Sequence, residues 1–219
     1  MIWDWAFALE ILPQLARGAL VTLKAALAGF ALAATLGLAL AALRLVRPRL
    51  ALPVSVLVEL VRSTPLLIQI FLLYFAGPAV GLVLDAMTAG TLALGLHYAA
   101  YCSEVYRAGL EAVPRAQWEA ASALNLSRRT TLVEIILPQA LPPVLPALGN
   151  QLIALFKETP LLSAIAVTEL MQTAKIIGAE TFRYTEPVTL AGLFFLAMSL
   201  VSAALIRLGE GWMSQGVSR

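Results

Sequence analysis

An all-α, polytopic membrane protein is the fold class that this sequence predicts, and three observations predict it. The 219 residues are 60% hydrophobic and 13% charged, with a mean hydropathy of +0.86. A soluble domain carries about 25% charged residues. Uncharged stretches recur at close to the roughly 20 apolar residues that cross a bilayer as a helix. Arginines collect at the ends of these stretches and not within them.

Taken in order, the chain offers five spans, at residues 25–43, 63–84, 86–103, 135–156 and 187–206. The third is short, but its apolar pattern continues through Val105 and Tyr106. Ahead of the first, Met1-Ile2-Trp3-Asp4-Trp5 has an acid where a cleavable signal peptide has bases, so insertion is expected to rely on the spans themselves. Trp3, Trp5 and Phe7 suit a membrane interface. The whole chain, 1–219, reads as one transmembrane domain with its core at 19–210 and a polar loop at 111–134.

Arg44, Arg47 and Arg49 follow the first span, Arg107, Arg115, Arg128 and Arg129 lie between the third and fourth, and Arg207 and Arg219 follow the fifth. In a five-span arrangement all three groups share one side. Basic loops stay in the cytoplasm, so the N-terminus is expected outside and the C-terminus inside. Lys24, Lys175 and Arg183 fall on the other side, offset by acids.

Two spans carry internal detail. The first has Gly29, Ala33, Gly37 and Ala41 at intervals of four. That spacing makes one smooth helix face, suited to close packing within the bundle or to a subunit interface. The fourth holds Pro138, Pro142, Pro143 and Pro146, then Gly149-Asn150-Gln151. Each proline removes a backbone donor, and irregular backbone at membrane depth is tolerated where it is buried in protein or lines a water-filled cavity. The apolar stretch 161–167 is too short to cross and is expected to be re-entrant or to lie in the outer half.

Composition also excludes. A net charge of +2 gives no drive toward nucleic acid. Cys102 and His97 are the sole cysteine and histidine, so no disulfide and no Cys or multi-His metal site is expected. No Gly-rich phosphate loop followed by Lys-Ser/Thr occurs, and no cofactor is expected. A membrane protease would need a nucleophile and base that the chain does not pair.

The loop is the most informative segment. Pro114 stands where a short helix can begin, and residues 117–124 are helix formers or small. Asn125 can take the left-handed conformation that ends a helix, with Leu126 folding back on it. Ser127 can cap a second helix running toward Pro138.

These residues resemble the cytoplasmic motif of ABC importer permeases. That motif is Glu-Ala-Ala, three residues, Gly, nine residues, Ile, one residue, Leu-Pro. Glu119-Ala120-Ala121, Ile135 and Leu137-Pro138 match it, and Asn125 replaces the glycine. Asparagine is the next-best residue for that backbone. Arg62 through Gln69, Ala100 through Gly109, and Leu148 through Leu161 resemble the polar amino-acid branch of the same family. That branch includes permeases for histidine, glutamine, arginine and cystine, and for compatible solutes such as ectoine.

The resemblance implies a transport subunit and not an enzyme. Two permeases, this chain with itself or with a sister, would form the pathway in the bacterial inner membrane. Two ATP-binding cassette ATPases would drive it, and a periplasmic or lipid-anchored binding protein would deliver the solute. Glu119, Ala120, Ala121 and Asn125 would form the coupling helix and its turn, with both alanines small to fit the ATPase groove, and Arg128 and Arg129 either supplementing the contact or holding the loop in the cytoplasm. Polar residues inside a membrane are functional candidates by default: His97, Glu158, Gln69 and Thr159 are the pathway candidates. Glu104 with Arg107, and Glu59 with Arg62, lie three apart on a helix face and read as structural pairs. A channel or secondary transporter is the rival reading, but neither has a use for the loop motif, and no internal repeat divides the chain.

Overall fold

The computed structural model describes residues 3–217, with side chains through residue 208. Met1, Ile2 and Arg219 lie outside the described residues. Nine α-helices, joined by short π and 3-10 turns, make up the described residues.

The first helix, α1 (Trp5–Val46), starts where Asp4 caps it, its Oδ1 accepting from the Ala6 and Phe7 amides at 2.9 and 3.2 Å. At 42 residues it extends far beyond the expected span; at 1.5 Å per residue it is about 63 Å long, twice the hydrocarbon thickness. Its small-residue stripe is buried against α4 (Ala86–Glu111). A Cβ on Gly37 would meet Cys102 Cβ at 2.7 Å and the Ala99 carbonyl at 2.9 Å, and one on Gly29 would meet Leu94 Cβ at 3.3 Å. The stripe is therefore an internal seam.

The second span begins earlier than expected. Pro48 opens α2 (Pro48–Arg62), which buries Val54 and Val58. Ser63 ends it, and α3 (Leu66–Phe71) follows, continued by a π turn over Leu72–Ala76 and a 3-10 turn over Gly77–Val80. The two halves meet at 99°. Pro65 explains the break, because its ring denies the preceding residue helical backbone. Glu59 and Arg62 hid α2 from a reading based on uncharged length.

Three helical stretches are long and apolar enough to cross a membrane alone, Trp5–Val46, Arg128–Ile165 and Thr185–Leu208, with the bent pair as a fourth. This differs from five uniform spans, and α4 accounts for the difference. It sits between α1, α2 and α7 and buries His97 and Ser103. A helix whose neighbours are protein needs less lipid-like composition.

The fourth expected span is α7 (Leu137–Glu158), which holds Pro142, Pro143 and Pro146 and stays helical through Gly149-Asn150-Gln151. Its irregularity lies at the ends: a π turn at Thr131–Ile136 and a 3-10 turn at Thr159–Ile165. Local π and 3-10 adjustments satisfy backbone groups that prolines release. Then comes an unanticipated helix, α8 (Leu170–Thr181). Glu169 caps it, accepting from the Met171 and Gln172 amides at 2.9 and 2.7 Å, while Thr22 of α1 accepts from the Leu170 amide at 3.1 Å. Ile11, Leu15, Leu170, Ala174, Ile177 and Ala191 join α1, α8 and α9 (Thr185–Val217) in a second core. Arg183 ties the chain start to α9, reaching Asp4 at 3.1 Å and also pairing with Glu186.

Candidate functional site

Two places gather the predicted residues: the loop between α4 and α7, and a polar cluster inside the bundle.

In the loop, Pro114 precedes α5 (Arg115–Ala123) in an extended conformation. The helix ends as expected. Asn125 adopts φ 52°, its amide donates to the Ser122 carbonyl at 3.0 Å, and the Leu126 amide donates to the Ala121 carbonyl at 3.0 Å. This pair of bonds is the Schellman closure, which needs a left-handed residue at Asn125. Ser127 Oγ then accepts from the Thr130 amide at 3.1 Å and caps α6 (Arg128–Thr130).

The faces of α5 divide its residues. Ala121 is 1% exposed. Trp118 packs on Val113, Ile136 and Ala140. Glu119, Ala120 and Arg128 are exposed, and Leu124, at the helix end, is 72% exposed. Ala121 is thus small for its own chain's packing, whereas the sequence had both alanines facing a partner. The sequence did not single out Leu124, because its spacing of three from Ala121 assigns it to the buried side, whereas it stands exposed as the helix C-cap.

An ion-pair chain braces the loop's base. Glu104 joins Arg107 at 2.8 Å, as its spacing predicts, and also Arg44 of α1 at 2.5 Å. Arg107 continues to Glu111 at 2.5 Å. The link to Arg44, a side chain only 8% exposed, crosses between helices, and sequence spacing cannot find it.

In the cluster, His97 is 6% exposed. It lies twelve residues past Asp85, about 18 Å along α4. Its Nδ1 lies 3.2 Å from Gln69 Oε1. Gln69 Nε2 donates to the Val61 and Thr64 carbonyls at 2.8 and 3.2 Å. These carbonyls lie at the α2–α3 break, where helical bonding stops, so Gln69 satisfies them. Tyr101 stacks near His97, with ring centroids 5.2 Å apart, and Arg62 lies over the Tyr101 ring at 5.2 Å. Arg62 also meets Glu59 at 3.5 Å, the anticipated pair.

Tyr98, which the sequence reading passed over, connects this group to α7, because its ring neighbours His97 and Tyr101 and its hydroxyl end lies close to Glu158. Glu158 Oε2 is buried and lacks a hydrogen-bond partner. Glu158 forms no ion pair with Lys157 or Lys175 among the described residues; Lys175 donates to Ser163 Oγ at 2.9 Å. Thr159 is fully buried, and its hydroxyl donates to the Phe156 carbonyl at 2.8 Å. So α4 brings Gln69, His97 and Glu158 into one region, while Thr159 faces its own backbone.

A bundle of apolar helices with a polar interior and a short exposed helix on one loop has the form of a membrane transport subunit. Comparison with known proteins makes the class specific. Residues 33–215 match the family model for the binding-protein-dependent transport system inner membrane component. The chain belongs to this family, the permease subunits of ABC importers. It is 46% identical over 206 residues to a probable amino-acid ABC transporter permease of Sinorhizobium fredii, covering 94% of this chain and 89% of that one. It is 36% identical over 202 residues to the L-cystine transport system permease of Bacillus subtilis, covering 89% and 86%. It superimposes on a chain from a crystal structure of an amino acid ABC transporter with histidines, with TM-score 0.90, 33% identity and coverage of 96% and 99%. An inward-facing methionine ABC transporter, 22% identical with TM-score 0.76, covers the same shares and shares the fold.

Proposed function

We propose that this chain forms the translocation pathway for a polar amino acid and is driven by ATPases docked on α5. The observation that carries the reading is α5 itself: an exposed Glu119–Ala120 surface closed by the Asn125 turn, beside an inward-facing Ala121. The relatives' names, amino-acid and L-cystine permeases, support the solute class.

In this reading Glu119, Ala120 and Leu124 face the ATPase groove. Ala121 anchors the helix, Asn125 sets its end, and Arg128 lies at the edge of the contact. We read the basic loops, and α5 with them, as cytoplasmic, with the N-terminus outside and the C-terminus inside. A second permease, self or sister, completes the pathway, and a binding protein outside delivers the solute. Gln69 and His97 hold the α2–α3 bend that walls the pathway, with Thr159 bracing the end of α7. Glu158, whose buried oxygen has no partner, is the group available to a solute ammonium. ATPase closure moves α5, and with it α7, as a rigid-body switch between inward- and outward-open states.

The test is co-purification followed by uptake. The chain is co-expressed with its neighbouring genes, drawn from mild detergent on a tag, and its companions identified by mass spectrometry. An ATP-binding cassette subunit is expected, and a second permease decides the pairing. A well-folded chain recovered alone overturns the importer reading. Uptake by the reconstituted complex, with labelled amino acids and ectoine as competitors, then identifies the solute class; competition by ectoine alone overturns the amino-acid assignment.

A further inference from the structure

Behind α5 lies a slot that the transport reading leaves unused. One cavity, about 550 Å³, runs between α1, α4 and α7 and is walled by side chains such as Leu38, Leu110, Leu141 and Val144. A second, about 460 Å³, is lined by Trp118, Ser122, Arg128 and Arg129. Leu45, Val46 and Leu132 line both, so the two form a continuous groove, apolar at depth and cationic at the mouth.

Three features point to one occupant. Neither Arg128 nor Arg129 has an ion-pair partner among the described residues, whereas Arg44 and Arg107 at the loop's base are both paired. Two free guanidiniums side by side suit a phosphate. Trp118 lines the charged mouth and packs on the Val113–Ile136–Ala140 cluster, whose Ala140 lines the apolar depth, and an amphipathic ring so placed suits the headgroup boundary. The groove also lies on the Trp118–Ala121–Ser122 side of α5, away from the Glu119–Ala120 surface, so a protein docked on that surface meets it only at its Arg128 edge. Its inner part reaches along membrane-spanning helices, beyond a soluble partner.

We infer that this groove binds an anionic phospholipid of the inner leaflet. An acyl chain lies along Leu45, Leu132 and Leu141, the phosphate rests on Arg128 and Arg129, and Trp118 packs at the glycerol level. Such a lipid joins α1 and α7 to the coupling loop. Basic pockets between helices on the cytoplasmic side select anionic headgroups. The inference rests on the orientation proposed above.

The test uses the assembled transporter, with its ATPase, in phosphatidylcholine nanodiscs. A small fraction of brominated lipid is added, either phosphatidylglycerol or phosphatidylcholine at equal mole fraction. Bromine quenches tryptophan at contact, and the Trp118 contribution is the difference between wild type and Trp118→Phe. Brominated phosphatidylglycerol is expected to quench Trp118 in excess of brominated phosphatidylcholine. Each arginine is expected to contribute about fivefold to that preference, so Arg128→Gln with Arg129→Gln abolishes it and the paired lysine variant keeps most of it. Equal quenching by the two lipids in wild type overturns the inference without recourse to any variant. So does an excess that survives in the glutamine variant. An excess seen only when the ATPase is stripped away would assign the arginines to the ATPase contact and overturn it as well. Loss of the ATPase itself on co-purification marks failure of the coupling reading instead.

Discussion

In the loop every turn is closed by groups within five positions of each other: Asn125 on Ser122, Leu126 on Ala121, Thr130 on Ser127. In the polar cluster the closing pair, Gln69 and His97, stands 28 positions apart, and Gln69 also serves carbonyls freed by the Pro65 break. Local closure leaves the loop's outer side chains free for a partner. Distant closure consumes side chains to hold helices at an angle. The same residue types therefore serve docking in one place and architecture in the other.

The largest expected effect separates the two alanines. Ala120→Arg, on the free face, should lower binding-protein-stimulated ATPase activity and transport at least tenfold. It should leave thermal unfolding within about 0.5 kcal/mol of wild type, as for surface substitutions. Ala121→Arg places an unpaired charge in a packed site and should destabilise the chain itself by more than about 2 kcal/mol. Indistinguishable melting of the two would break the division of faces.

Next comes Gln69→Leu. It takes the hydrogen-bond partner from the buried His97 Nδ1, at a cost of about 1–3 kcal/mol for a buried group left unpaired, and removes a side-chain donor from the Val61 and Thr64 carbonyls. Transport should fall while the ATPase still co-purifies. A Gln69→Leu protein that melts like wild type would mean that the bend needs no side-chain support.

A smaller effect tests the loop's local closure. Asn125→Ala forces an ordinary residue into left-handed backbone, at about 1–2 kcal/mol. Asn125→Gly, restoring the family residue, should be neutral or mildly stabilising on melting. The reverse order would contradict the Schellman closure.

The smallest concerns a third pattern, polar ties between chain segments at the opposite end. The Asp4 carboxyl is held below its ordinary range, first by the Phe7 amide and then by Arg183. A carboxylate with a lowered folded value contributes stability that is complete above the unfolded value, about pH 4, and is lost as pH falls through the lowered one. Asp4→Asn should therefore lower the melting temperature slightly at neutral pH and flatten its decline on the acid limb, the two proteins converging at low pH.

What could be read beforehand follows the same division. Pro114, Asn125 and Ser127 announced α5 and its ends because their partners lie within one turn. The Gly29–Ala41 stripe announced a close helix contact but not its partner, which the fold supplies as α4. The start of α2 was obscured by Glu59 and Arg62, which pair with each other. The α8 helix was obscured by its shortness and by a cap, Glu169, whose carboxylate is steadied by Thr22 of α1 at 3.4 Å. Glu158 was identified by position, but its neighbour Tyr98 comes from another helix.

The α1–α4 seam constrains how such a transporter moves. At Gly37 the facing atoms include the Ala99 carbonyl and the Ser103 amide nitrogen, at 2.9 and 3.0 Å from a modest Cβ. Backbone cannot step aside as a flexible side chain can. Sliding one helix past the other by a residue, about 1.5 Å, would drive side chains into main chain. The two helices are keyed like a tongue in its slot and travel as one beam. On the proposed function, alternation between inward and outward openings falls first to the bent pair α2–α3, because α7 is itself seated on α4 at Gly109, where a Cβ would meet the Ala140 carbonyl at 3.2 Å.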